Sequence, residues 1–308
     1  MEIFHSLESL PAANTPSAVA IGNFDGVHQG HQALLGKMLE VARAGNFLPT
    51  VLTFHPHPVE VLRPGTHLQR ITTTDEKLEL LEKFGVKRVL VEPFTKELAK
   101  LPAEEFFLKY LREGLKASAL HVGFNFRFGA GRLGDTVLLG QLCSSAEIEL
   151  SVETPFELTG TRVSSSLIRQ WLQEGEVSKA SQFLSRPYFV KGMVMSGDQR
   201  GRKLGFPTAN LKYPSEKVLP KNGVYLTRAI WQGRSYLSVT NVGVRPTFTL
   251  GQSIPLIETH LLDFSQKLYD ETLTLEFNER IRDEKKFDSL DALKVQIAND
   301  IEYARGKK

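Results

Sequence analysis

The feature that most constrains this chain is the alternation, through its first half, of short β-branched apolar runs with helical patterns. Residues 19–21, 50–54, 88–91, 120–122 and 148–152 have the length and composition of buried strands. Between the first two, Leu34, Leu35, Met38, Leu39 and Ala42 fall on one face of a helix. Thr73 and Glu76 have the spacing of a capping box, opening a helix whose Leu78, Leu81 and Phe84 face inward and whose stop is Gly85. Pro102 suits the start of a third helix over 103–112. Such alternation predicts an α/β domain with a mainly parallel, doubly wound sheet, whose ligand crevice lies beyond the carboxyl ends of its strands.

The pattern then changes. Two helices around 167–173 and 177–184 precede strand candidates at 189–195, 223–231, 235–242, 256–262 and 271–278. Turn signals at Asn222-Gly223 and Gln232-Gly233 separate them, which predicts a small antiparallel β-barrel. A closing helix carries Leu290, Leu293, Ile297 and Ile301 on one stripe. The boundary is placed at 185–187, giving domains 1–185 and 186–308, in keeping with two domains for 308 residues.

A single cysteine, Cys143, excludes disulfides and multi-cysteine metal sites and fits a reducing cytoplasm. The first 11 residues contain Glu2 and Glu8 and no apolar run of signal length. No segment approaches the roughly 20 apolar residues of a membrane span, so neither export nor membrane insertion is expected. The net charge of +3 comes from scattered basic residues, which does not indicate nucleic-acid binding. The densest basic group, Arg200, Arg202 and Lys203, is interleaved with glycines and suits one small polyanion.

The first strand runs into Gly22-Asn23-Phe24-Asp25-Gly26-Val27-His28-Gln29-Gly30-His31 and directly on into a helix. Unpaired backbone N–H groups and the helix dipole converge at such a turn, so phosphates bind there. This turn lacks the G-x-G-x-x-G of dinucleotide folds, and no G-x-x-x-x-G-K-[ST] occurs in the chain, so neither a Rossmann cofactor site nor a Walker A loop is available. His28 and His31 share a face as two imidazole donors suited to charge growing on a departing phosphate, with Gly30 leaving room for a nucleotide. The bland alternative is a pair of surface histidines at a helix start.

Taken with Phe54-His55-Pro56-His57-Pro58, Val122-Gly123-Phe124-Asn125-Phe126-Arg127-Phe128-Gly129 and Arg162-Val163-Ser164-Ser165-Ser166-Leu167-Ile168-Arg169, this turn resembles that of the bacterial riboflavin kinase/FAD synthetase family. The resemblance covers essentially the whole chain; the family's commoner I-S-S-T-x-I-R differs mildly at Val163 and Ser166. It implies a Rossmann-like nucleotidyltransferase domain in which Gly22, Asn23, Phe24, Asp25, Gly30, Arg162, Ser164, Ser165, Ser166 and Arg169 bind ATP and its phosphates. Taken alone, the serines are a helix cap. Phe54, Pro56 and Pro58 then form an apolar wall for an isoalloxazine ring, and Asn125 meets its polar edge unless it merely caps a turn. His55 and His57, with no evident third ligand, are read as loop residues.

In the second half, Ser196-Gly197-Asp198-Gln199-Arg200-Gly201-Arg202-Lys203-Leu204-Gly205-Phe206-Pro207-Thr208-Ala209-Asn210 combines glycines that turn amides inward with basic residues. Its Pro207-Thr208-Ala209-Asn210 ending is similar to the riboflavin kinase signature. That likeness implies ATP binding through Gly197, Gly201, Arg202, Lys203, Gly205, Pro207, Thr208 and Asn210, with Thr208 and Asn210 as Mg²⁺ ligands. Asn222-Gly223-Val224-Tyr225, Asn241-Val242-Gly243-Val244-Arg245-Pro246-Thr247-Phe248 and Ile257-Glu258-Thr259-His260 continue the resemblance, which makes Glu258 the base for a ribityl hydroxyl. By strand alternation alone, Glu258 is an outward, solvated position. Residues 279–284 match the family's flavin-side segment but read alone as a charged turn.

The expected activities are phosphorylation of riboflavin to FMN and adenylylation of FMN to FAD, with riboflavin, FMN and ATP as small-molecule partners and Mg²⁺ as cofactor. No nucleic-acid or membrane partner is expected, and homo-oligomer formation is left open. The rivals are a single-activity nucleotidyltransferase with an accessory barrel and a non-catalytic flavin- or RNA-binding protein. The motifs around Thr208 and Glu258 argue against the first, and the lack of a basic, aromatic-interleaved barrel face argues against the second.

Overall fold

The computed structural model describes residues 1–11, 15–196, 204–246 and 253–307, with backbone alone for 245–246 and 253–255. Two compact units emerge, Met1–Ser165 and Ser166–Lys308.

In the first unit, six parallel strands lie in the order β1-β4-β3-β2-β5-β6. They are β1 (Glu2–Phe4), β2 (Ser17–Ile21), β3 (Leu48–His55), β4 (Arg88–Pro93), β5 (Ala117–Gly123) and β6 (Glu149–Glu153). Alternate strand residues feed opposite layers. Val19, Leu52, Leu90, Leu120 and Val122 pack with Phe106, Phe107 and Leu111 on one side. Ala18, Ala20, Val51, Val89 and Ala119 pack on the other with Leu34, Leu35 and Met38 of helix α1 (Gln29–Gly45). Chain order reverses between β2 and β5, so the crevice beyond their carboxyl ends is the expected ligand position.

The capping box forms at helix α3 (Thr74–Phe84), where Thr73 Oγ1 accepts from Glu76 N and Gly85 ends the helix at φ 113°. A short helix α2 (Pro58–Leu62) and the edge strand β1 add to the sequence expectation. The third expected helix is α4 (Ala103–Phe106), which continues as a π-helical segment, Phe107–Gly114. The apolar stretch around Cys143 forms helix α5 (Thr136–Ser145). A two-stranded hairpin follows, β7 (Glu157–Leu158) with β8 (Thr161–Arg162).

Helix α6 (Ser165–Glu174) begins at the division between the units. The second unit continues with helix α7 (Val177–Leu184) and six strands in a closed barrel, ordered β10-β13-β12-β11-β14-β9 with every pairing antiparallel. These are β9 (Tyr188–Met195), β10 (Ala209–Lys212), β11 (Gly223–Trp231), β12 (Arg234–Pro246), β13 (Ser253–Leu261) and β14 (Thr272–Arg282). Gln232 and Gly233 both have positive φ, 49° and 75°, which joins β11 to β12 by a tight turn matching the strand twist. Inside the barrel, the buried hydroxyls of Thr227, Ser238, Thr240 and Thr259 bond to one another. The closing helix α8 (Leu290–Arg305) buries Ile301 and Ala304, whereas Leu290, expected on its apolar stripe, is 67% exposed.

Helix α7 belongs structurally with the barrel: Ser178 Oγ donates to the Asn278 carbonyl, and Tyr188 N donates to Ser181 Oγ.

Candidate active site

The turn after β2 is held in an unusual backbone conformation. Phe24, Gly26 and Val27 have φ of 51°, 84° and 40°, and a Cβ at Gly26 would come within 3.0 Å of Ile71 Cγ2. The Asp25 carboxylate anchors the turn. Its Oδ1 accepts from the backbone of Ile71 (3.0 Å) and Thr72 (3.1 Å), while Thr72 Oγ1 accepts from Gly26 N. Asp25 is 7% exposed, so its side chain serves as a clamp between this turn and residues 71–72.

His28 ends the turn and caps α1, its Nδ1 accepting from His31 N at 3.2 Å. That bond fixes the neutral ring with its proton on Nε2. The His31 ring stacks on His28 with centroids 3.6 Å apart and meets the Phe24 edge at 5.2 Å. A Cβ at Gly30 would lie 3.3 Å from the His28 ring, so the glycine accommodates the stacked pair as well as any ligand. His31 Nδ1 is buried without a hydrogen-bond partner. Burial, followed by the charges of His28 and Lys77, holds the His31 pKa well below the ordinary histidine value. His31 is therefore neutral at pH 7.

Ser165, the last residue of the first unit, lies against this turn: its Oγ donates to the Asp25 carbonyl at 2.9 Å. The Arg162 guanidinium stands 4.5 Å from the centroid of the exposed Phe124 ring. Ser166 and Arg169 fall in the second unit on α6, and Ser164 precedes that helix. At the end of β3, Phe54 packs edge-on to Phe94, Pro56 is exposed and Pro58 opens α2. His57 caps α2 through Nδ1, and Arg70 donates to His55 Nδ1, so both histidines have local structural partners. Asn125 is exposed in the turn after β5.

Asn23, Asp25, Phe54 and His57 line one cleft together with Arg70, Thr72, Thr74 and Lys77. The last four were not expected as site residues. Lys77 sits inside an amphipathic helix, where a lysine ordinarily points to solvent, but here it is only 7% exposed. The sequence signal that could have found it is the capping box, which places Lys77 in the first turn beside the carboxyl end of β3.

In the barrel, register assembles a second constellation. Asn210 on β10 and Asn241 on β12 lie directly opposite Glu258 on β13, one on each side. Glu258 is half-buried on the outward face, while its neighbours Ile257 and Thr259 are buried. On the same face, His260 Nδ1 donates to the Pro207 carbonyl at 2.7 Å. Thr208 is exposed, and Gly205 adopts φ 91°. Gly197, Gly201, Arg202 and Lys203 lie outside the described residues. Within 279–284, Arg280 bonds Asp283 and the Asn222 carbonyl, and Arg282 pairs with Asp300.

The donors fit a magnesium ion carried on a nucleotide. Asn210 Oδ1 is a buried hard oxygen without a protein partner, and Thr208 lies two residues away. Among the described residues, no cluster of three His, Cys, Asp or Glu forms a protein-only metal site. One or two protein oxygens completed by phosphates and water is the usual magnesium arrangement.

Family models for FAD synthetase and riboflavin kinase match residues 10–167 and 184–307 respectively. Proteins named bifunctional riboflavin kinase/FMN adenylyltransferase from Pseudomonas fluorescens and Escherichia coli K12 are each 37% identical, over 99% of this chain and 97% of theirs. A crystal structure described as a macrolide-efflux protein from Streptococcus pneumoniae is 31% identical with a TM-score of 0.91, covering 98% of both chains. That description stays with that protein; among the described residues here, no helix is long and apolar enough to cross a membrane. With both models matched in tandem and relatives similar from end to end, this chain belongs to the bifunctional riboflavin kinase/FMN adenylyltransferase family.

Proposed function

We propose that this enzyme of flavin-cofactor synthesis runs its two ATP reactions at two separate constellations, riboflavin phosphorylation on the barrel and FMN adenylylation at the β2–α1 turn. The observation that carries this division is that the first unit holds the stacked His28 and His31 after β2, whereas the second holds Asn210 opposite Glu258 on the barrel.

On the barrel, Glu258 takes the proton from the riboflavin 5′-hydroxyl as that oxygen attacks the γ-phosphorus of ATP, and ADP leaves. Asn210 and Thr208 would hold Mg²⁺ with the nucleotide, where the ion neutralises phosphate charge. Gly205 with Gly197, Gly201, Arg202 and Lys203 would cover those phosphates.

In the α/β unit, an oxygen of the FMN phosphate attacks the α-phosphorus of a second ATP, and the bond to pyrophosphate breaks. FMN phosphate is already anionic at neutral pH, so the site needs positioning and charge stabilisation rather than a general base. His28 and neutral His31 donate to the departing phosphates, and Ser164 and Ser165 assist there. Phe54, Pro56 and Pro58 face the flavin, Asn125 its polar edge, and Arg162 the nucleotide. The compartment is the cytoplasm, and neither nucleic acid nor membrane is a partner.

Chromatography of flavins made by fragments tests the division. A fragment starting at Ser166, which keeps α7 on the barrel, should convert riboflavin to FMN and make no FAD. One starting at 186 should do so with lower stability, because it loses the Ser178 and Ser181 bonds. A folded 166–308 fragment that makes no FMN would refute the assignment of the kinase to the barrel.

A further inference from the structure

Lys77 is a buried cation that the roles assigned above leave without a task. Its Nζ donates to Thr53 Oγ1 at 2.9 Å and to the Asn23 carbonyl at 3.2 Å, both neutral acceptors. An ammonium carries three N–H donors, and among the described residues Lys77 has no further acceptor and no salt bridge. Taking such a charge out of water without a paired anion is costly, so a buried unpaired lysine in a cleft calls for a ligand of opposite charge.

The position agrees. Thr53 lies near the carboxyl end of β3, and Asn23 lies in the turn that leads to His28 and His31. Lys77 therefore bridges the floor of the crevice, close enough for its charge to depress the His31 pKa. Arg70 lines the same cleft; its Nη2 bonds Glu60 and its Nη1 bonds His55, while its Nε is buried without a partner. The carboxylate facing Lys77 is Asp25, whose Oδ1 already accepts from Ile71 and Thr72.

From this geometry we infer that Lys77, supported by Arg70, is the phosphate-binding cation of the adenylylation cleft, donating its third N–H to a phosphate oxygen of a bound substrate. Two substrates bring phosphate to this cleft, FMN and ATP, and the kinetics of each distinguish them. The inference rests on adenylylation occurring in the first unit.

The protonation of Lys77 gives the proposal a second signature. Burial, partly offset by Asp25 and reinforced by Arg70, lowers its pKa to about 8. Of the other titratable groups facing it, His31 is depressed on the acid side, and Glu60 is paired with Arg70. His55 and His57 make local hydrogen bonds, and Glu76 closes its own capping box. Substrate phosphates complete their ionisation near pH 6. As pH rises through about 8, Lys77 loses its charge, and kcat/KM for FAD formation should fall.

The test uses the full-length enzyme with FMN and ATP·Mg, from pH 6.5 to 9.5. Lys77→Met should lower kcat/KM for FAD formation about 10- to 100-fold, the loss of one charge-assisted hydrogen bond, while riboflavin phosphorylation persists. A raised KM for FMN assigns the phosphate to FMN, and a raised KM for ATP assigns it to ATP. Lys77→Arg, whose guanidinium stays charged throughout, should retain more activity than Lys77→Met and move the alkaline limb upward. FAD formation within twofold of wild type in Lys77→Met, or an alkaline limb unmoved in Lys77→Arg, overturns the proposal. Should both variants lose both reactions through misfolding, the wild-type profile decides: no decline between pH 7 and 9.5 rejects Lys77. If His31→Ala also leaves FAD formation unchanged, the placement of adenylylation in the first unit fails instead.

Discussion

The Asp25 clamp permits a graded test, because its shortest backbone contacts fall on one oxygen, with Ile71 N also 3.3 Å from Oδ2. Oδ1 accepts from Ile71 N at 3.0 Å and Thr72 N at 3.1 Å, and the group is 7% exposed. In Asp25→Asn an amide oxygen in the same place keeps both bonds but loses their charge assistance. At about 1 kcal/mol per bond, the cost is roughly 2 kcal/mol. In Asp25→Ala two buried N–H groups lose their acceptor, at about 1–3 kcal/mol each, so the cost rises to roughly 4 kcal/mol. For a unit of about 165 residues, each kcal/mol lowers the melting midpoint by about 2–4 °C. The expected falls are therefore about 4–8 °C for the amide and about 8–16 °C for alanine. Because a two-domain chain has no single melting temperature, the assay follows heat inactivation of FAD formation and of FMN formation separately. Only the FAD-forming activity should become labile. An unchanged midpoint in Asp25→Ala, or an equal loss of both activities, would refute the clamp as a local device of the first unit.

Removing the His31 donor in His31→Ala should reduce FAD formation by about 10²–10³-fold while FMN accumulates from riboflavin, measured by flavin chromatography. Glu258→Gln should lower riboflavin phosphorylation by about 10²–10⁴-fold and spare adenylylation of supplied FMN; near-normal phosphorylation would remove Glu258 from the mechanism. The His31 pKa is depressed on folding, so the unfolded chain takes up its proton first and stability is lost as pH falls below about 6.5. His31→Ala should accordingly flatten the decline in the heat-inactivation midpoint of the first unit between pH 7 and 5, and an unaltered slope would contradict that account.

The elements legible in the sequence were those with strong periodicity or specific punctuation. The Thr73/Glu76 box, the Gly85 stop and the β2-to-α1 turn needed only local chemistry, and they form as expected. Strand β10 was missed because its four residues, Ala209–Lys212, follow the Pro207-Thr208 turn and are too short to show alternation. Strand β1 was missed for the same reason, since pairing with β4 rather than its own composition makes it a strand. Leu290 matched the apolar stripe yet is exposed, because packing of α8 begins further along the helix. For Glu258, alternation gave the correct outward face but not its surroundings. Asn210 and Asn241 flank it only through cross-strand register, which no local pattern encodes.

The same limit explains why the charge of the cleft lined by Asn23, Asp25 and Phe54 was not legible. Two histidines at a helix start suggest imidazole donors, and stacking at 3.6 Å and burial disfavour protonation of His31. Lys77, which no local pattern marked, brings positive charge to the floor of the cleft and further suppresses that of His31. The two effects have one physical origin, since neighbouring cations in a poorly solvated crevice oppose each other's protonation. A cleft built this way sets the Lys77 charge, and Arg70 paired with Glu60, beside a neutral His31 at pH 7.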